Sequence, residues 1–424
     1  MSVNSKFSIK GLFIWLICAI FFTYEFLLRT VLGTFEADII AVFHITIVSF
    51  ALLSTTSYQL IYGAMQLPVG FLVDRFGLKF TLASAVIICS LSVFGFSISH
   101  HFNTALVMRM LMGLGSSFGF VCVLVAVYDW LPRKYIAFFI GLSQFIGTLG
   151  PMIAAGPLVS LAQQFQLSWR SLFFYCSIVG LIIAGFVLVF VRNNKATSES
   201  MIILKTPQSI VSNVLALISQ PQVWLIAIYS GSTYFVIDYL SENAGISFLQ
   251  LNGISATSSS FMITIAWLGF AISCPIVGII SDRIKNRTLT LIGTAIVGLA
   301  SALCIFYLPL TSLWYFIAFF CLGIGTSGQS VAFAIMAEQC NNNYLAAGLG
   351  LNNAMMFFFG SFFAPFIGYL LHQLSHASAP LLSDYHQAFL VIIAMIALGL
   401  IISSFFIKET FCKSTKYMTI LKQD

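Results

Sequence analysis

Charge is scarce in this chain. Asp, Glu, Lys and Arg make up 8% of its 424 residues, against roughly a quarter in globular domains, which excludes a water-exposed surface of ordinary extent. The nine Cys residues form no C-x-x-C pair. Cys18, Cys89, Cys122, Cys176, Cys304 and Cys321 stand inside apolar runs, where cysteine acts as a small hydrophobe, so neither a disulfide framework nor a metal site is expected. There is no G-x-x-x-x-G-K-[ST] loop, no G-x-S-x-G and no H-E-x-x-H. ATP-driven pumping and the common hydrolases therefore lack support, and neither enzymatic activity nor a cofactor is expected. The net charge of +6 comes from Lys and Arg scattered over short segments, with no basic patch, so no nucleic-acid partner is expected.

What the chain has instead is apolar length. Hydrophobic residues make up 59%, Phe occurs 43 times, and the mean hydropathy is +1.00. Only bilayer lipid can cover so much apolar surface. Twelve stretches are long enough to span ~30 Å of hydrocarbon: 11–33, 47–72, 79–99, 104–131, 136–161, 169–191, 222–240, 254–281, 288–309, 312–336, 345–371 and 387–407. The first follows Lys6 and Lys10 but is too long for a signal peptide and has no A-x-A site after it. The longest polar break is 192–213, with Arg192, Lys195 and Lys205. It suggests an amphipathic surface helix before Pro221. The expected organisation is a six-helix unit over 1–191, a linker over 192–221 and a second six-helix unit over 222–424.

Basic residues orient the spans. With the N-terminus inside, 16 of the 19 Lys and Arg fall on the cytoplasmic side; Arg170 lies outside, and Arg29 and Arg109 lie within spans. Both termini are expected in the cytoplasm.

The halves repeat. GFLVDRFGLK at 70–79 follows the second span and GIISDRIKNR at 278–287 follows the eighth, 208 residues on. GLG at 113–115 returns as GIG at 323–325, Gly141 as Gly350, and Pro157 as Pro365. A shared offset across separate features points to two pseudo-symmetric bundles around a central cavity, which is a transporter architecture.

The first loop, G-x-x-x-D-R-x-G-x-[KR], is met in full by Gly70, Asp74, Arg75, Gly77 and Lys79. The second keeps Gly278, Asp282, Arg283 and Arg287, with Lys285 and Asn286 around the place of the second glycine. With RMLMGLG (Arg109, Gly113, Gly115) in the fourth span and WRSLF (169–173) opening the sixth, the chain resembles the major facilitator superfamily along nearly its whole length. That resemblance implies an all-α integral membrane fold of twelve helices and leaves the cargo open.

On physical grounds, Gly70 would let two helices pack closely. Asp74 would cap a helix and pair with bases, and Arg75 and Lys79 would hold the loop at the cytoplasmic face. Asp129 and Glu338, 209 residues apart, end the fourth and tenth spans. Each could meet a loop base, Arg75 or Arg133 in one half and Arg283 or Arg287 in the other. This would form a cytoplasmic gate; simple topological anchoring of the bases is the alternative.

Inside the first span stands YEFLLRTVLG, 24–33. Glu25 and Arg29 are four residues apart and share a helix face. Each costs at least ~2.5–3.5 kcal/mol at a helix centre. Two readings compete: the pair neutralises itself and holds the helix against its neighbours, or Arg29 meets a substrate and Glu25 carries a coupling proton. FLLRTVLG resembles the first helix of the organic anion:cation symporter branch, where an Arg at this place binds a substrate carboxylate. The planar fork of Arg suits that task. Two departures are plain: Leu28 replaces the Asp often found before the Arg, and Ser116 stands where the branch has a carboxylate after the fourth-span Arg. That leaves Glu25 as the replacement acid. Substrate bound to Arg29 would loosen its hold on Glu25 and favour proton uptake.

Other substrate candidates are Tyr24 beside this pair, Tyr62 and Gln66 (a stripe with Gln59), Gln144 with Asn352 and Asn353 (the repeats of Ser143 and Gln144), Gln329 and Tyr234. Asp238 is a second coupling candidate. For any single amide, interhelical hydrogen bonding is the favoured reading. Arg109 reads as a structural residue bonding carbonyls between helices.

The expected function is a secondary active transporter importing a small carboxylate-bearing metabolite, an organic anion or amino acid, with protons. It would be a monomer in a bacterial inner membrane whose partners are the substrate, protons and lipid. Proton-antiport efflux of drugs or metabolites is the alternative, loosely supported by GTLGPMIAAGP (147–157). A non-transporting receptor would need larger loops.

Overall fold

The structure, a computed structural model, describes residues 8–132, 135–193, 215, 217–340, 345–375 and 380–412. Among these residues all regular structure is helical, as hydrocarbon demands of a chain that must satisfy each backbone N–H and C=O within its own segment. The chain divides into two compact units, Met1–Lys205 and Thr206–Asp424. Most of the expected linker, including Lys195 and Lys205, lies outside the described residues, as does Arg133.

In the first unit the helices are α1 (Ile9–Thr34), α2 (Glu36–Phe43), α3 (Ile47–Ala51), α4 (Ser57–Ser97), α5 (Phe102–Ser116), α6 (Gly119–Trp130), α7 (Ile136–Ala154), α8 (Gly156–Gln164) and α9 (Trp169–Phe190). A π-turn, Leu52–Thr56, joins α3 to α4. In the second unit they are α10 (Pro221–Glu242), α11 (Gly245–Leu251), α12 (Ala256–Ile284), α13 (Arg287–Tyr307), α14 (Ser312–Thr326), α15 (Gly328–Gln339), α16 (Leu345–Leu374), α17 (Leu382–Ala388) and α18 (Leu390–Phe405).

Among the described residues, ten helical segments are long and apolar enough to cross a membrane, and twelve if two bent pairs are each one span. Ahead of the second span, whose helix starts at Ile47 as expected, the short helix Glu36–Phe43 meets Ile47–Gln66 at 115°. His44 turns left-handed there (φ 52°), and the Thr46 hydroxyl caps α3 by accepting from the Ser49 N–H at 3.2 Å. The fifth span breaks by 40° between α7 and α8, where Ala155 leaves helical geometry and Pro157 sits in the first turn of α8.

Small residues set the close approaches, as expected where lipid offers no hydrophobic drive between helices. A Cβ on Gly113 would fall on the Tyr58 carbonyl, so α5 presses against α4. The repeat position does the same: a Cβ on Gly323 would fall on the Ala266 carbonyl, between α14 and α12. Gly70 and Gly278 behave differently. Among the described residues a Cβ on either meets nothing within 4 Å, so the close helix packing expected at Gly70 is not found within its unit.

Gly77 is where α4 kinks, at φ 80° and ψ 161°, and only glycine takes that conformation without strain. Lys285, 208 residues on, takes the left-handed turn (φ 52°) that ends α12, so the repeat keeps a positive φ after its glycine is lost.

Candidate functional site

Glu25 and Arg29 are both buried, at 2% and 3% exposure. They lie near enough for Arg29 to act on the Glu25 charge, and the Arg29 guanidinium stands 3.9 Å over the Phe26 ring. Tyr58, on α4, donates its hydroxyl toward Glu25 Oε2 at 3.2 Å and toward the Glu25 carbonyl at 3.0 Å. Tyr62 hydrogen-bonds the same carboxyl and stacks on Tyr58, with ring centroids 6.2 Å apart and planes 16° apart.

Behind this group Arg109, on α5, binds two helical segments, α1 and the π-turn. Its Nη1 donates to Leu28 O (2.6 Å), Nη2 to Arg29 O (2.6 Å) and Ser54 O (2.8 Å), and Nε to Ser54 O (3.3 Å). The expected carbonyl-bonding role of Arg109 is thus what its geometry displays. Ser54 lies in the π-turn. The Arg109 guanidinium carbon also sits 4.3 Å from the Tyr58 ring centre, a cation–π contact.

The other candidates separate. Tyr24 turns away from Glu25: its hydroxyl donates to Cys176 O on α9 at 3.0 Å and crowds Gly180. That is a packing role between α1 and α9, and it corrects the expectation that Tyr24 shares the Arg29 site. Gln66 is buried and donates to the Tyr62 carbonyl of its own helix at 3.3 Å. On α7, Gln144 is half-buried, while its neighbour Ser143 accepts from the Trp15 indole at 2.8 Å. In the second unit, Tyr234 packs edge-on against Trp267 and Phe270, one turn from the buried Asp238. The Trp267 indole donates to Ser241 at 2.7 Å. Gln329 and Asn353 are buried, and Asn352 is fully buried with no hydrogen-bond partner for its amide N or O among the described residues.

At the loop end of the second unit the ions gather on Arg287. Its Nη1 meets Asp282 at 2.6 Å and its Nη2 meets Glu338 at 2.8 Å. Arg283 is exposed and outside this cluster, so of the two bases expected to meet Glu338 it is Arg287 that does so. The segment after α18, which no sequence motif marks, completes the cluster. The Glu409 carboxylate accepts from Arg287 N (3.0 Å), Thr288 N (2.7 Å) and the Thr288 hydroxyl (2.7 Å), and the Thr410 hydroxyl bonds Glu338. Gln222 pins the same segment through Phe406 O and Lys408 N.

The first unit uses a neutral counterpart: Asn193, just past α9, accepts from Lys79 N at 2.8 Å. Arg75 is exposed over Phe76, and Asp129 is half-buried near the end of α6. KETFC is too short to flag its role, but a lone Glu placed just after the last apolar run is a usable signal.

Burial alone would raise the Glu409 carboxyl. The N–H groups of Thr288 and Arg287, the Thr288 hydroxyl and the Phe411 N–H outweigh it and hold the group below its ordinary range.

Apolar helices of spanning length, arranged in two units that share their glycine contacts, define a multi-pass membrane protein with internal repeats. The Major Facilitator Superfamily profile matches residues 14–365 and, in a second match, 243–413, and the chain belongs to that family. It is 29% identical over 146 residues to the probable L-galactonate transporter of Escherichia coli (strain K12), covering 34% of this chain and 31% of that protein. It is 25% identical over 236 residues to the hexuronate transporter of Bacillus subtilis (strain 168), covering 55% of this chain and 56% of that one. The matched stretches thus span less than two thirds of either relative. Among solved structures, a D-xylose-proton symporter superposes with a TM-score of 0.72 at 15% identity, covering 95% of this chain and 99% of that one. A bacterial homologue of the human lysosomal transporter Spinster, inward-facing and unoccupied, superposes at 0.70 and 16% identity, covering 98% and 99%. At those identities the likeness concerns the fold.

Proposed function

We propose that this protein is a secondary active transporter that takes up a small sugar acid, a hexuronate or aldonate, together with protons, by alternating access across a bacterial cell membrane. The observation that carries this reading is the Arg29 guanidinium buried in α1 beside Glu25. A lone carboxylate of a polyhydroxylated substrate would meet the planar fork of Arg29. Glu25 would take a proton as that second carboxylate arrives and draws on the same cation. The names of the two relatives supply the sugar-acid class. Asn352, Gln329, Asn353, Gln144 and Gln66 are proposed to serve the substrate hydroxyls, and Asp238 is proposed as a second proton site.

Both termini are proposed to lie in the cytoplasm, with 192–221 as the linker between bundles. The Arg287, Asp282, Glu338 and Thr410 cluster is proposed to be the second unit's part of a cytoplasmic gate.

The test is uptake of labelled D-glucuronate and D-galactonate by proteoliposomes under an imposed pH gradient, acidic outside. Accumulation that collapses with the gradient and is lost in Arg29→Ala supports the proposal. Extrusion of preloaded substrate under the same acid-outside gradient would indicate antiport instead. Accumulation by Glu25→Gln as steep as wild type would remove Glu25 from the coupling role.

A further inference from the structure

The Glu25 carboxyl is held from several sides. Its Cγ lies where a Cβ on Gly119 would come within 2.9 Å, so the side chain rests on α6 with no room to swing that way. The titratable and charged groups around it are Arg29 on its own helix, Tyr58, Tyr62 and Cys89 on α4, and Arg109 behind the Tyr58 ring on α5. Of the remaining neighbours, α6 contributes Gly119, and α7 meets α1 through Gly147 and Gly150.

We propose that Tyr58 is the positioning residue that keeps the Glu25 carboxyl in one place through both of its protonation states. This rests on the reading of Glu25 as the coupling acid. The phenol sits between two acceptors of one residue, Oε2 at 3.2 Å and the main-chain carbonyl at 3.0 Å. With Glu25 ionised, the phenol hydrogen turns to Oε2. With Glu25 protonated, the carboxyl O–H donates to the phenol oxygen, and the phenol hydrogen turns to the main-chain carbonyl. The arriving proton stays on Glu25, and Tyr58 keeps its own throughout. The phenol and the carboxyl oxygen it faces retain a partner in both states, so neither incurs the cost of about 1–3 kcal/mol for an unsatisfied group.

The exchange requires a ring that does not move, and the surroundings supply one. Tyr62 stacks on one side, and Arg109, fixed on three carbonyls, lies within cation–π reach. Gly113 brings α5 against the Tyr58 main chain. The π-turn just before Tyr58 adds one residue to the helix and so rotates the start of α4 by about 100°. The turn thereby sets which face of α4 Tyr58 occupies.

The test needs no substrate. The full chain in liposomes is titrated by infrared difference spectroscopy, and the protonated Glu25 carboxyl band is identified by its loss in Glu25→Gln. In Tyr58→Phe, which keeps the ring and its stacking, the band changes frequency and its midpoint moves by about half a pH unit or more, the difference between the charge-assisted bond lost by the ionised state and the neutral bond lost by the protonated one. In Tyr24→Phe, whose hydroxyl serves Cys176 O, both stay at wild-type values. A Tyr58→Phe band identical to wild type overturns the positioning role and leaves Glu25 as the titrating acid. No band lost in Glu25→Gln removes the coupling acid and, with it, the role of Tyr58.

Discussion

Glu409 caps α13 from 122 residues further along the chain. Its two carboxylate oxygens take the first two N–H groups of the helix, Arg287 and Thr288, at 3.0 and 2.7 Å. Asn286 adds an ordinary N-cap by accepting from Leu289 N at 2.9 Å. An anion at a helix N-terminus satisfies orphan donors and meets the positive end of the macrodipole. Asn193 does the same for Lys79 in the first unit without charge. In both units the stretch after the last helix therefore ties down the helix that comes after the signature loop.

Glu409→Ala should lower stability by about 0.5–2 kcal/mol, the range of a lost cap. Thermal melting of the purified protein measures it. Glu409→Gln, which keeps one acceptor, should fall between.

The same carboxylate predicts a pH dependence. Its folded value lies below the ordinary one, so its contribution is fully present above the unfolded value and is lost as pH falls through the folded value. On acidification below the ordinary carboxylate range, the wild-type melting temperature should drop more steeply than that of Glu409→Gln. Parallel curves would exclude Glu409 from the acid response.

Arg109→Lys should be strongly destabilising although it conserves charge. One ammonium cannot replace a fork that reaches Leu28 O, Arg29 O and Ser54 O together. Each buried carbonyl left unpaired costs about 1–3 kcal/mol. Melting in detergent should show a loss of at least one such increment, and more in Arg109→Ala.

The motif glycines should divide. Gly113→Ala and Gly323→Ala force a Cβ into a facing carbonyl, and overpacking of that kind costs about 1–3 kcal/mol. Gly70→Ala and Gly278→Ala meet open space and should leave melting unchanged or raise it slightly through reduced unfolded-state entropy. A transport defect in Gly70→Ala without a stability defect would place its role in the transport cycle.

Arg29→Lys separates charge from shape. If the fork grips a carboxylate, the KM for D-glucuronate uptake should rise by about tenfold or more, since one lost charge-assisted bond is worth about 1.5–3 kcal/mol. An unchanged KM would assign Arg29 to holding Glu25 alone.

Much was legible in the chain itself because the solvent is lipid. Hydrocarbon leaves an unpaired backbone no option but the helix, so apolar run length located the spans. The 208–210 residue offsets exposed the repeat, and GLG and GIG marked two close approaches that the structure contains. The pairing of Glu25 with Arg29 came from their spacing of four.

What the tertiary structure alone decided is which neighbours those groups meet. Tyr58 reads as one aromatic among many, and only the π-turn before it and the crossing of α4 with α1 bring its hydroxyl to Glu25. Tyr24 stands next to Glu25 in sequence, yet the roughly 100° step of a helix sends it to α9. Arg283 and Arg287 share a loop, but only Arg287 opens a helix whose first turn faces Glu338 and the returning Glu409. Composition and period determine what must be helical and buried, because they sum over many residues. A hydrogen bond depends on a few ångströms and one angle, and that is settled only when the helices cross.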